Sequence, residues 1–290
     1  MDFTENLMSG KKIGIMGNGF VGDAVAQGFS PGSTGNCQVL IYDKNPEKSI
    51  NTLIELCQNS EIIFVCVPTP MNADGSINIE IVRGAVKSIN ENKGNNLPIV
   101  VIKSTIVPGT MTKLSKEFPS LKFIFNPEFL TQRSARLDFL TQTRIILGGK
   151  KEDATKVAEL FKSRFHGAKI IETNFETAEL VKYMCNVFFS VKISFANEMK
   201  LVCEKVGADW NDLLAGFVSD GRVADAHLSV PGPDGKRGFG GVCFPKDINA
   251  FISFAESIGI NTNTIKGAWK TNLEVREEKD WENLKGRAVS

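Results

Sequence analysis

From Lys11 to Thr173 the chain alternates short apolar runs with amphipathic stretches. KKIGIMG, CQVLIYD, EIIFVCV, PIVVIKS, LKFIFN, RIILGG and AKIIET are mostly continuous and rich in β-branched residues, as expected of strands covered on both faces in a parallel sheet. EIVRGAVKSINEN and EDATKVAELFKSRF lie between them with the spacing of crossover helices. The alternation predicts a doubly wound parallel α/β sheet. From Phe175 the pattern changes. Glu176 to Asp209 contains no proline, and its apolar residues recur at helical spacing up to Gly207, which predicts a long, largely buried helix. A short helix around DWNDLLAGFV, a loop SVPGPDGKRGFGG and two further helices from Pro245 onward complete an all-helical second region.

Composition narrows the function classes. Lys+Arg 34 against Asp+Glu 33 gives no bulk electrostatic case for nucleic acid or an anionic membrane surface. MDFTENLMSGKK carries acidic residues where a signal peptide needs a basic start and an apolar run, and no apolar run approaches membrane-spanning length. Cys37, Cys57, Cys66, Cys185, Cys203 and Cys243 are scattered without CxxC spacing, which argues for reduced thiols in the cytoplasm and against zinc. With His166 and His227 as the two histidines, no metal site is expected.

GNGFVG (Gly17, Asn18, Gly19, Phe20, Val21, Gly22) follows the first strand and opens a helix, the context that a dinucleotide fingerprint requires. Gly17 permits the turn, Gly19 lets the backbone approach a pyrophosphate, and Gly22 lets helix and strand pack closely. Asp43 ends the next strand, where a carboxylate can accept the ribose hydroxyls and repel a 2′-phosphate. NAD is therefore favoured over NADP, although Lys44 and Lys48 stand nearby. The expected division is an NAD-binding Rossmann domain over 1–173 and a helical dimerisation and catalytic domain over 174–290.

Lys182 and Asn186 stand four apart on the long helix and share one face, with Asn197 near the same stripe. A lysine and an amide among apolar neighbours need partners or water, or the lysine snorkels to solvent. Cys243 falls in a glycine-rich bend just before a helix that Pro245 starts. The partial positive charge at that end favours a thiolate, so Cys243 reads as a nucleophile or as a small buried apolar residue. Asp247, four residues on, sits in the first helical turn, where a carboxylate is also a plain helix-capping charge. VPTP (67–70), KSTIVPG (103–109) and NPEFL (126–130) end strands, and such loops line the ligand crevice of a doubly wound sheet.

GNGFVG, VPTP, KSTIVPG, NPEFL, AELVKYMCN, ISFANE and GFGGVCFPKD, in this order, closely resemble the UDP-glucose and GDP-mannose dehydrogenase family, the UDP-glucose branch most. The resemblance implies NAD-dependent oxidation of a nucleotide sugar's primary alcohol to a carboxylate, with two NAD per turnover. It implies that Cys243 attacks the intermediate aldehyde to give a thiohemiacetal and then a thioester. Lys182 and Asn186 hold the oxyanions, and Asp247 orients Lys182 and a water. Glu128 assists proton movement in thioester hydrolysis, and Thr105 binds that water or the cofactor. Lys48, Pro68, Thr69, Ser104 and Gln132 join the fingerprint as cofactor contacts. Glu128, Phe129, Leu130, Phe239 and Gly240 join Lys182 and Asn186 as substrate contacts, and Arg222 reaches the substrate across a homodimer interface.

The chain departs from the family in two places. Thr131-Gln132-Arg133 stands where Arg-Glu-Gly usually follows NPEFL, so an acid-base role at Gln132 is not expected. Members also continue into a second nucleotide-binding domain, whereas this chain reads as a short form, natural or truncated, ending at Ser290. Two other readings compete. A β-hydroxyacid-type dehydrogenase shares the KxxxN pair and performs one oxidation, but it has no use for the cysteine of GFGGVCFPKD. A catalytically silent NAD-binding module fits the short chain, but the chemical residues all persist.

Overall fold

The computed structural model describes residues 11–33 and 37–290. The expectation that no leader precedes the fold falls mainly on residues outside that range. The chain forms two compact units, one comprising the residues up to Thr69 with Ile79–Lys182, the other Pro70–Asn78 with Tyr183–Ser290.

The first unit is a seven-stranded sheet of order β2-β1-β3-β4-β5-β6-β7. Its strands are β1 (Lys12–Met16), β2 (Gln38–Tyr42), β3 (Ile62–Val65), β4 (Ile99–Ile102), β5 (Lys122–Phe125), β6 (Arg144–Gly149) and β7 (Lys169–Thr173). Its helices are α1 (Phe20–Phe29), α2 (Leu53–Asn59), α3 (Glu80–Asn92), α4 (Thr110–Glu117), α5 (Ala135–Leu140) and α6 (Lys151–Arg164). Each apolar run read as a strand forms one. Successive strand residues alternate between two cores: Ile13, Ile15, Ile62, Phe64 and Val101 enter one, Met16, Ile63, Val65, Val100 and Ile102 the other. This period of two explains why the runs are apolar throughout, because both faces are covered. In the first core Phe29 packs on Phe64, Phe139, Phe161 and Phe165 with ring centroids 5.5–6.1 Å apart. The sheet departs from the all-parallel expectation at one junction, where β6 runs antiparallel to β5 while β7 runs parallel to β6.

The long helix α7 (Phe175–Val206) begins in the first unit and continues into the second. The second unit adds α8 (Trp210–Val218), α9 (Phe244–Ser257) and α10 (Asn263–Val275). One side of α7 is buried, with Tyr183, Val187, Ala196 and Cys203 in the interior. The expectation of a largely buried helix holds on that side and fails on the other, because Met184 is 76% exposed, Phe188 59% and Phe195 46%. Helical periodicity marks both sides as apolar, but packing within this unit covers one. Among the described residues no helix is long and apolar enough to cross a membrane.

Glu179 ties α7 to the start of α4 by accepting the backbone N–H groups of Gly109 (2.7 Å) and Met111 (2.8 Å). Burial nonetheless pushes its carboxyl from the ordinary 4.5 up to about 7. Between those values the folded chain holds a proton that the unfolded chain has released, so this group's contribution to stability falls as pH rises from about 4.5 to 7 and then levels off, by on the order of 3 kcal/mol. Glu179→Gln should remove that dependence. The Tm advantage of wild type over the variant should shrink across this window, and a growing advantage would show that the two N–H bonds outweigh burial.

Candidate functional site

In the first unit, the turn between β1 and α1 is organised by Asp43. Its Oδ2 accepts the Asn18 backbone N–H at 2.6 Å and its Oδ1 that of Asn45 at 2.8 Å, while the Asn18 side chain donates to the Lys48 carbonyl at 2.8 Å. Asp43 is therefore part of the turn as well as the expected ribose contact, and a carboxylate with about four acceptor positions has room for both. Gly22 is buried where a β-carbon would overlap the carbonyl oxygen of Gly17. Gly19 is exposed, and a β-carbon there would meet nothing within 4 Å. It precedes α1 without any side-chain cap, so first-turn N–H groups face an open cradle suited to a pyrophosphate. Phe20 and Val21 form the first turn of α1, and the cradle fits NAD.

The loops at the carboxyl ends of β3 and β4 are tied together, since Ser104 Oγ donates to the Val67 carbonyl at 2.7 Å. Thr69 is buried beside exposed Pro68, and Thr105 is half-buried. Gln132 and Lys48 are exposed.

NPEFL closes on itself. Glu128 Oε1 accepts the N–H groups of Phe129 (2.6 Å) and Leu130 (2.8 Å), and Oε2 pairs with Lys103 Nζ at 2.9 Å. Lys103 also donates to Asn126 Oδ1 at 2.9 Å. The ammonium of Lys182 donates to the Glu128 carbonyl and lies 5.4 Å from the centre of the Phe129 ring; Arg144 stacks on that ring at 4.6 Å. Lys182 is thus buried and partnered, which excludes the snorkelling alternative. A cavity of about 260 Å³ opens here, lined in part by Lys103, Glu128, Phe129, Leu130, Gln142 and Arg144. Lys103, Asn126 and Arg144 were not singled out from the sequence. For Lys103 a signal was present, because a lysine directly after the fully buried strand β4 needs a buried partner.

In the second unit, Asn186 Nδ2 donates to Asp247 Oδ2 at 2.5 Å. The lysine paired with Asp247 is its neighbour Lys246, at 2.5 Å from Oδ1. All three side chains are buried, and burial strengthens such charge-assisted bonds. Cys243 is the N-cap of α9, half-buried, with Pro245 in the first turn. Its carbonyl accepts the Asp247 N–H at 2.8 Å, so nucleophile candidate and carboxylate share one helical turn. Asn197 is buried and accepts the Gly238 N–H at 3.2 Å. Phe239 is buried, with its ring 6.1 Å from that of Phe244 and nearly perpendicular to it. Gly240 lies against Arg276 and Asp280. Arg222 points outward, exposed, and pairs with Asp220.

The thiols differ in kind. Burial pushes Cys66 up to about 12 and Cys37 and Cys57 up to about 11, which makes them poor nucleophiles. None of the six cysteines is in a disulfide.

Comparison with known proteins bears on the same two units. Residues 49–165 match the NAD binding domain of the UDP-glucose/GDP-mannose dehydrogenase family, and residues 176–274 match its central domain. UDP-glucose 6-dehydrogenase TuaD of Bacillus subtilis is 35% identical over 233 residues, covering 78% of this chain and 49% of the relative. UDP-glucose 6-dehydrogenase of Rickettsia conorii is 36% identical over 221 residues, covering 75% and 50%. The chain spans about half the length of these curated relatives. A solved UDP-glucose dehydrogenase from Pyrobaculum islandicum superposes with a TM-score of 0.82 at 29% identity, over 92% of this chain and 69% of the other. A 3-hydroxyisobutyrate dehydrogenase from Mycobacterium tuberculosis shares the fold, with a TM-score of 0.74 at 16% identity, over 91% of this chain and 93% of the other. The cradle and the matched NAD binding domain identify NAD as the cofactor. With both domain models matched in order, and the cysteine helix and lysine-asparagine helix inside the central one, the chain belongs to the UDP-glucose/GDP-mannose dehydrogenase family.

Proposed function

We propose that this chain oxidises the primary alcohol of a nucleotide sugar, UDP-glucose foremost, to the carboxylate in two NAD-dependent steps. The observation that carries the reading is Cys243 at the N-terminus of α9, one turn from an Asp247 that is held by Asn186 and Lys246. A single alcohol oxidation needs no nucleophile, whereas an aldehyde must become a tetrahedral adduct before it can be oxidised again. When bound, NAD supplies the hydride acceptor for each oxidation. Cys243 Sγ forms a bond to the aldehyde carbon, whose oxygen becomes the oxyanion. Asn186 donates one amide hydrogen to Asp247 and has a second for that oxyanion, and the ammonium of Lys182 supplies positive charge for it. After the second oxidation the carbon is a thioester. Water adds to it, the C–S bond breaks, and the carboxylate leaves with Cys243 restored. Glu128 and Thr105 guide that water and its proton, while Phe129, Leu130, Phe239 and Gly240 shape the sugar site.

The test is NADH yield across a panel of nucleotide sugars. Two NADH per UDP-glucose is expected. A yield of one would favour the hydroxyacid-type step, and a yield of zero a binding module.

The helical part, 174–290, is also the proposed dimerisation and catalytic domain. The exposed apolar stripe of α7, Met184, Phe188, Phe195 and Val202, is the kind of surface that signals association. A two-fold homodimer would cover it and bring Arg222 of each copy toward the other's substrate. Light scattering should give twice the 31.8 kDa chain mass, and Phe188→Asp with Phe195→Asp should give the single mass; a wild-type monomer would refute the dimer. The balanced charge and the unbridged cysteines support a cytoplasmic setting.

A further inference from the structure

The glycine-rich bend that leads to Cys243 is gripped from outside by Asn272 of α10 and by residues after that helix. Asn272, fully buried, accepts the Phe239 N–H at 2.7 Å and donates to the Phe239 carbonyl at 3.0 Å, so one side chain holds both backbone groups. Asp280 Oδ2 accepts the Gly241 N–H at 2.9 Å, two residues before Cys243. Asp280 Oδ1 takes Arg276 Nη2 at 3.0 Å, and the same Nη2 reaches Asp234 at the other end of the loop at 2.8 Å. Arg276 Nη1 donates to the Arg237 carbonyl at 3.3 Å. The glycines follow from this grip. A β-carbon at Gly238 would overlap Asn272 Oδ1, and one at Gly240 would overlap Asp280 and Arg276. GFGG is thus a close-approach sequence, not a flexible one. Arg276 and Asp280 lie beyond the segment that matches the family's central domain, which ends at 274.

We propose that Arg276 and Asp280 are positioning residues for Cys243: they clamp the bend so that the thiol is held at the N-terminus of α9. This rests on the reading of Cys243 as the nucleophile. Released from the clamp, the bend carries Cys243 away from the helix end, and the thiolate loses the stabilisation found there.

Three full-length variants test this: Asp280→Ala, Gly240→Ala, and Lys270→Ala as a control on the exposed side of α10. Alkylation of Cys243 by iodoacetamide is followed by peptide mapping across pH, alongside kcat, KM and NAD binding. Asp280→Ala should move the midpoint of Cys243 alkylation to higher pH and lower kcat roughly tenfold or more, with NAD binding unchanged. Gly240→Ala pushes the bend off the same side chains and should act in the same direction, and it decides the matter if Asp280→Ala does not fold. Lys270→Ala should match wild type. A wild-type midpoint and kcat in a folded Asp280→Ala or Gly240→Ala protein overturns the clamp. A wild-type NADH yield other than two, with the midpoint still shifted, overturns the two-step reading and leaves the clamp standing.

Discussion

Cys243→Ala is expected to lower carboxylate formation by roughly three to six orders of magnitude, the range seen when a covalent nucleophile is removed. NAD binding should be unchanged, because the cradle at Gly17–Gly22 and Asp43 belongs to the other unit. Cys66, Cys37 and Cys57 are poorly suited to substitute, since burial pushes them to about 12, 11 and 11. Asp247 and Asn186 remain in place in the variant, but they have no adduct to stabilise. Cys243→Ser keeps the shape and an oxygen nucleophile, yet a hydroxyl is far harder to ionise than a thiol, so it should be nearly as inactive. Product analysis by mass, with NADH counted per sugar, reads the result. Carboxylate formed at a near-normal rate by Cys243→Ala would refute the thiohemiacetal route.

Gly22→Ala should cost both stability and cofactor binding. A β-carbon there would overlap the Gly17 carbonyl oxygen and lie 3.2 Å from Ile15 Cγ2, so α1 must lift from β1. Overpacking of this kind destabilises by about 1–3 kcal/mol or more. The displaced first turn no longer presents its N–H groups to the pyrophosphate, and NAD affinity should fall about a hundredfold, equivalent to some 2.7 kcal/mol. Gly19→Ala separates the two effects. Its β-carbon meets nothing in the protein, so Tm should stay within a degree or two while NAD affinity falls, since the methyl group projects where the phosphate approaches. Thermal unfolding and NAD titration on both variants distinguish them; a Gly22→Ala protein with native Tm and affinity would contradict the packing account.

Much of the candidate site could be read because its parts are local. The fingerprint, NPEFL and the cysteine bend are each contiguous, and the turn, strand end or helix start that presents them is dictated by glycine, proline and β-branched residues within a few positions. Lys182 and Asn186 were legible for the same reason, since i and i+4 share a helix face whatever surrounds them. Their partners were not legible. Glu128 lies 54 residues from Lys182, and Asp247 lies 61 from Asn186; no periodicity links such positions. Arg276 and Asp280 belong to no motif in the sequence, and only the folded bend around Gly238 to Gly241 shows what they hold.

By itself, then, the sequence determined the strands, the long helix, the nucleotide cradle and the position of a cysteine at a helix start. Each follows from backbone preference and hydrophobic period acting over a few residues. Tertiary structure alone decided the rest. β6 runs antiparallel to β5 because a continuous apolar strand carries no direction in its pattern, so pairing sets it. Asn186 on α7 meets Asp247 on α9, 61 residues away, and one side of α7 stays exposed in the single chain. These outcomes depend on which surfaces remain once the core has closed, and that is a property of the packed chain, because burial and long-range hydrogen bonding are settled between elements and not within them.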